Sequence, residues 1–182
     1  METAARCARI GNRILNSIVV LLIAVMFLYG GYSLWDTAMV YRGAFVSNDL
    51  LQFKPASDGE TDNPTLSELQ AINEDVRGWV TIDDTHIDYP VVQGETNMEY
   101  INKDVYGEFA LSGSIFLDSA NSPDFSDGYV LLYGHHMENG GMFGDIVEFT
   151  DETFFDAHTT GTLYAPGSTW SIELFACLEV DA

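Results

Sequence analysis

Two adjacent histidines occupy the stretch Tyr133-Gly134-His135-His136-Met137, and Gly140-Gly141-Met142-Phe143-Gly144 follows closely. The apolar run Tyr129 to Tyr133, bounded by Gly128 and Gly134, predicts a buried strand. Such a strand delivers both histidines into a Gly-rich loop, where a rigid scaffold can present catalytic groups. An imidazole moves protons near neutral pH, so either residue suits general acid–base work. Neighbouring side chains diverge on an extended chain, which argues against one metal shared by the two rings. On spacing alone a structural or surface role comes first, with catalysis and metal ligation open behind it. His86 and His158 lack such a context and read as ordinary.

The other reactive side chains are few. Cys177 lies in the apolar stretch Leu174-Phe175-Ala176-Cys177-Leu178 with no Lys or Arg nearby, and reads as strand core. Cys7 lies beside an apolar span and is at most a weak acylation signal. The chain has no Asp-x-Asp-x-Asp-Gly loop and no Cys/His or His-Glu motif at ligand spacing, so no metal and no cofactor are expected.

The elements that must position His135 begin after residue 64. Thr65 or Ser67 can cap a short helix over Leu66 to Asn73. From Gly78 the period changes to that of strands. Trp79, Val80 and Ile82 lead into an Asp83-Asp84 turn, and Ile87 to Val92 follows, with Pro90 pointing to an edge or a bend. Tyr100 to Tyr106 suggests a helical turn, Gly113 to Asp118 a strand, and Ser119 to Asp127 a loop. Residues 142–157 suggest one or two short helices, and Thr162 to Ala165 and Thr169 to Val180 two strands joined at Pro166-Gly167. Short strands with few helices predict a mainly β domain, a barrel or a sandwich.

The N-terminal part is different. No charged residue occurs from Ile14 to Trp35, and Ile18 to Tyr29 is wholly apolar. As a helix the stretch spans about 33 Å, enough for a bilayer core of about 30 Å. Tyr29, Tyr32 and Trp35 gather at one end, and Arg6, Arg9 and Arg13 precede the other. Positive flanks stay inside, so an uncleaved anchor is expected with residues 1–13 cytoplasmic, 14–35 in the membrane and the remainder extracellular. A cleaved signal peptide is the main alternative, with Gly31 and Ser33 as its small pair. Residues 36–64 read as a stalk whose Lys54 to Pro64 part is linker-like, and residues 65–182 as the folded domain. Cys7 and Cys177 then lie on opposite sides of the membrane and cannot pair. The formal net charge of −21 divides into +2 on residues 1–35 and −23 on residues 36–182, which excludes a nucleic-acid reader.

Several blocks resemble a known family in order. Asn73-Glu74-Asp75-Val76-Arg77-Gly78-Trp79-Val80-Thr81-Ile82, then Ile87-Asp88-Tyr89-Pro90-Val91-Val92-Gln93, is similar to the start of a sortase domain. Gly113 to Asp118 resembles the next block, and Tyr133 to Met137 with Gly141-Met142-Phe143 the block that carries the sortase histidine. Order and spacing are most like class B, over roughly residues 65–182. The resemblance implies a membrane-anchored cysteine transpeptidase on a sortase-type β-barrel, preceded by one transmembrane helix. Its partners would be surface proteins with a C-terminal sorting motif, and an amine of a peptidoglycan precursor or a pilin. It implies His135 as the catalytic histidine and gives His136 no role.

The family's Thr-Leu-Xaa-Thr-Cys motif does not occur here, and no Arg follows Arg77, which matches a structural position. The expectation is therefore a barrel incomplete at its C-terminal strands, and a chain truncated and inactive by itself. A non-enzymatic, sortase-derived surface module is the alternative. A metal-dependent hydrolase using His135 and His136 is the weakest reading.

Overall fold

The computed structural model describes residues 2–56 and 63–180. Residues 57–62 of the expected linker lie outside the described residues. The chain divides into two compact units, residues 1–39 and 40–182.

The first unit is the body of one helix, α1 (Glu2–Arg42). Its most apolar window has a mean hydropathy of 2.3 and none of it is buried. Phe27, Leu28 and Leu34 stand exposed, and the helix is long and apolar enough to cross a bilayer. The Ser17 hydroxyl inside the span donates to the Arg13 carbonyl at 2.9 Å, so it carries no unmet donor into that surface.

The second unit is a curled, mainly β sheet with the shape of a half-barrel. Its elements are α2 (Asn48–Leu51), α3 (Pro64–Ile72), β1 (Val76–Ile82), β2 (Asp88–Val92), β3 (Ile115–Leu117) and β4 (Leu132–Tyr133). A 3-10 helix (Gly144–Thr150), α4 (Glu152–Ala157), β5 (Thr160–Ala165) and β6 (Ser168–Glu173) follow. The strand order is β4-β3-β2-β1-β5-β6, antiparallel except for the parallel pair β2–β3.

Strand alternation buries the central strands on both faces. Val80, Tyr89, Val91, Ile115 and Leu117 point to one core with Met137 and Met142. Trp79, Val92 and Phe116 point to the other, against Leu66 and Leu69 of α3. Ala44, fully buried, and Leu50 belong to these cores, so residues directly after α1 help to build the β unit.

Local details depart from the sequence reading for physical reasons. Asn63, not Thr65 or Ser67, stands at the N-cap of α3, with Pro64 in the first turn. Its buried amide donates instead to the Ala165 carbonyl at 2.9 Å. Pro90 lies in a central strand, not at an edge. β3 pairs with β2 only at Val91 and Val92, so at Pro90 the side away from β1 has no ladder bond to lose. Tyr100 to Tyr106 forms turns closed by a Lys103–Phe109 bridge, without helix. Tyr129 to Leu131 is not strand, and Tyr129 is 74% exposed. The last strand stops at Glu173, and residues 174–180 have no regular structure. The Pro166-Gly167 turn is as expected, with Gly167 at φ +77°.

Candidate functional site

β4 is only two residues long and has β3 as its one neighbour. Backbone pairing of that length is weak, so side chains must hold it. The Tyr133 ring stacks on Phe116 with centroids 5.2 Å apart. Its hydroxyl donates to Asp118 Oδ2 at 2.9 Å. The Ala120 N–H and the Asn97 side-chain amide also donate to Asp118, at 2.8 and 2.9 Å. These donors, the Ala120 N–H foremost, hold the Asp118 carboxyl below the usual carboxylate range. The same bond, seen from the other side, raises the Tyr133 phenol.

Gly134 then passes between two core side chains. A Cβ there would collide with Ile115 and come within 2.7 Å of the Phe143 ring, so the sequence places glycine immediately before the histidines. His135 is half-buried and His136 exposed, while Met137 turns into the core. The His135 carbonyl accepts the Phe143 N–H at 2.9 Å, and His136 bridges to Met142. Residues 135–143 therefore form a narrow hairpin, turned at Gly140, which has φ +80°. On spacing alone the two histidines were equivalent; the fold makes them different.

Beside this hairpin lies an apolar cavity of about 370 Å³. Leu132, Phe143, Ile146 and Ile172 line it, and Cys177 closes part of it; His135 is not among its lining residues. Cys177 is half-buried on the irregular segment after β6, with Sγ 3.6 Å from the Ile146 carbonyl. It is thus not the strand-core residue that its apolar neighbours suggested, because no strand forms there. Cys7 is exposed on α1. Arg77 donates to Gln93 Oε1 at 3.2 Å and to the Glu74 carbonyl at 2.6 Å, a structural use of its guanidinium.

His158 stacks on Phe154 at 3.9 Å and bonds the Phe154 carbonyl through Nδ1, an ordinary helix-end role. His86 does more than its sequence context suggested. Its Nδ1 lies 3.0 Å from Oδ2 of the buried Asp145, which also accepts the His86 N–H at 2.7 Å. Fifty-nine residues separate that pair, so no local pattern could reveal it. Among the described residues no group of three or more His, Cys, Asp and Glu is placed to hold a metal ion.

The arrangement leaves a half-buried imidazole just after β4, which is an edge strand among the described residues. Such a group can exchange a proton with a chain lying along that edge, where the outer backbone groups of β4 have no strand partner.

No family model matches the chain. Sortase B of Listeria monocytogenes is 40% identical over 114 residues, which are 63% of this chain and 46% of that protein. Sortase B of Staphylococcus aureus is 30% identical over 151 residues, 81% of this chain and 62% of that protein. The crystal structure of a Streptococcus pyogenes class B sortase involved in pilus biogenesis superimposes with a TM-score of 0.62 at 48% identity, covering 64% of each chain. The chain thus spans about half to three fifths of the length of the curated relatives it matches.

Proposed function

Given that this chain belongs to the sortase family and is most like class B, we propose that it is the histidine-bearing part of a membrane-anchored cysteine transpeptidase. The observation that supports this best is the half-buried His135 at the open end of β4, in the block that resembles the sortase histidine. In the proposed reaction a Cys thiolate attacks the carbonyl of a sorting motif near the C-terminus of a surface protein. The tetrahedral oxyanion collapses, the C–N bond breaks, and His135 protonates the departing amine. An amine of a peptidoglycan precursor or of a pilin then attacks the thioester, gives up a proton to His135, and releases the thiolate. An Arg stabilises the oxyanion in both halves.

Neither a Thr-Leu-Xaa-Thr-Cys motif nor an Arg beyond Arg77 is among the 182 residues. We therefore assign the nucleophile and the oxyanion-stabilising Arg to sequence outside them, and no transpeptidase activity to these residues alone. Cys177 is not the nucleophile in this reading. For topology, residues 1–13 are cytoplasmic, 14–35 cross the membrane once, and residues 36–182 lie outside, with residues 65–182 as the sortase domain. Arg6, Arg9 and Arg13, in α1 before its exposed apolar span, support that orientation.

The test compares the 182-residue chain with one whose reading frame is continued through a downstream Cys and Arg. Both are assayed on a library of fluorogenic C-terminal sorting peptides, with mass-spectrometric capture of the thioester. Cleavage by the continued chain alone supports the proposal. Cleavage by neither favours the surface-module reading, and a thioester on Cys177 overturns the assignment.

A further inference from the structure

Tyr89 carries a hydroxyl in an otherwise apolar core. The residue is 4% exposed in β2, packed with Val91, Met137 and Met142. Its hydroxyl donates to the Ala44 carbonyl at 2.9 Å and accepts the Met142 N–H at 2.8 Å. The Met142 N–H also reaches the Ala44 carbonyl, at 3.1 Å. Three stretches of chain distant in sequence thus meet at one oxygen. They are the residues just after α1, a central strand, and the return arm of the His135 hairpin. Burial pushes the Tyr89 phenol up to about 12, so it keeps its proton and remains a donor over the physiological range.

The contact is close on every side. A Cβ on Gly141 would come within 2.8 Å of both the Ala44 side chain and its carbonyl. Met142 itself has φ +54°, a left-handed conformation unfavourable for a residue with a side chain. Such a residue persists only when its surroundings over-determine it, and here the Tyr89 and Ala44 oxygens do so. From Met142 the constraint passes directly to the histidines. Met142 bridges His136, and the next residue, Phe143, bonds the His135 carbonyl at 2.9 Å.

We propose that the Tyr89 hydroxyl is a positioning group for His135: it ties the segment that leaves the apolar helix, around Ala44, to the return arm of the histidine hairpin, so that the orientation of the His135 ring depends on that segment being docked. Tyr89 touches neither substrate nor nucleophile in this account; it acts through Met142. The inference rests on the reading of His135 as the working histidine, yet its test reads conformation and needs no activity.

The experiment uses the full 182-residue chain in lipid nanodiscs, with the four histidines labelled for NMR. Tyr89→Phe keeps the ring in the core and removes both bonds of the hydroxyl. Gly141→Ala separates Ala44 from the hairpin and leaves Tyr89 intact. In each variant the Met142 and Phe143 amides should exchange roughly three- to tenfold faster, the effect of one lost hydrogen bond. The His135 ring resonances should shift or broaden, with the amide of Leu69 in the other core and the His158 ring unchanged. The double variant should change little beyond either single one, because both break the same link.

A His135 ring unmoved in both variants overturns the proposal. So do changes of equal size at Leu69 and His158, which would mean general loosening. Failure of a continued chain to cleave any sorting peptide would count against the sortase reading and would leave these resonances as the measure of positioning.

Discussion

Replacing Gly134 by alanine tests the path by which the sheet delivers His135. The added methyl would collide with Ile115 Cδ1 and lie 2.7 Å from Cδ2 of Phe143. Ile115 is 1% exposed and sits among Leu117, Val91 and Met137, so it has little room to retreat. Overpacking of a closed core costs typically about 1–3 kcal/mol, and Gly134→Ala should lose that much stability. Ile115→Val removes the methyl that collides and by itself should cost about 0.5–1.5 kcal/mol. Together the two changes should cost less than their sum by at least about 1 kcal/mol, since the valine leaves space for the new methyl. The assay is urea unfolding of the full chain in detergent, followed through the fully buried Trp79. Additivity within about 0.5 kcal/mol would refute the packing of Gly134 on Ile115. It would also refute the placement of His135 at the end of β4.

Two further outcomes are expected. The Asp118 carboxyl should titrate below its unfolded value of about 3.9. Its bond to Tyr133 therefore contributes above that pH and is lost as pH falls through the depressed folded value. Carboxyl-carbon NMR should show this, and in Asp118→Asn the acid-dependent change at Tyr133 should disappear. A reporter that works only in the cytoplasm, fused after residue 182, should be silent, and strong activity would reverse the proposed orientation.

What could be read from residue order was set by local chemistry. The uncharged span before Asp36, the Pro166-Gly167 turn and the alternation through Trp79 and Val80 each carry their cause within a few residues. The errors arose where a neighbour in space decides. The run Tyr129 to Tyr133 is apolar enough for a buried strand, yet β4 has a partner on one side only, and its residues remain half-buried. Pro90 looked like an edge signal because proline lacks a donor, but whether that matters depends on where β3 begins to pair. Asn63 is a good capping type whose amide is used by the end of β5, 102 residues away. The site divides the same way. The Tyr133 to Met137 block marked His135 by resemblance, while the Asp118 bond, the His86–Asp145 pair and the Tyr89 hydroxyl join residues that no window of sequence holds together.

The central claim is that His135, and not its neighbour, moves the proton in acyl transfer. The most direct measurement compares His135→Ala with His136→Ala in the continued chain, scoring both thioester formation and release to an amine. His135→Ala should lower the rate by about 10²–10⁴-fold, the usual contribution of a positioned acid–base group, and His136→Ala should stay near the parent rate. Loss on replacing His136, with His135→Ala still active, would contradict it.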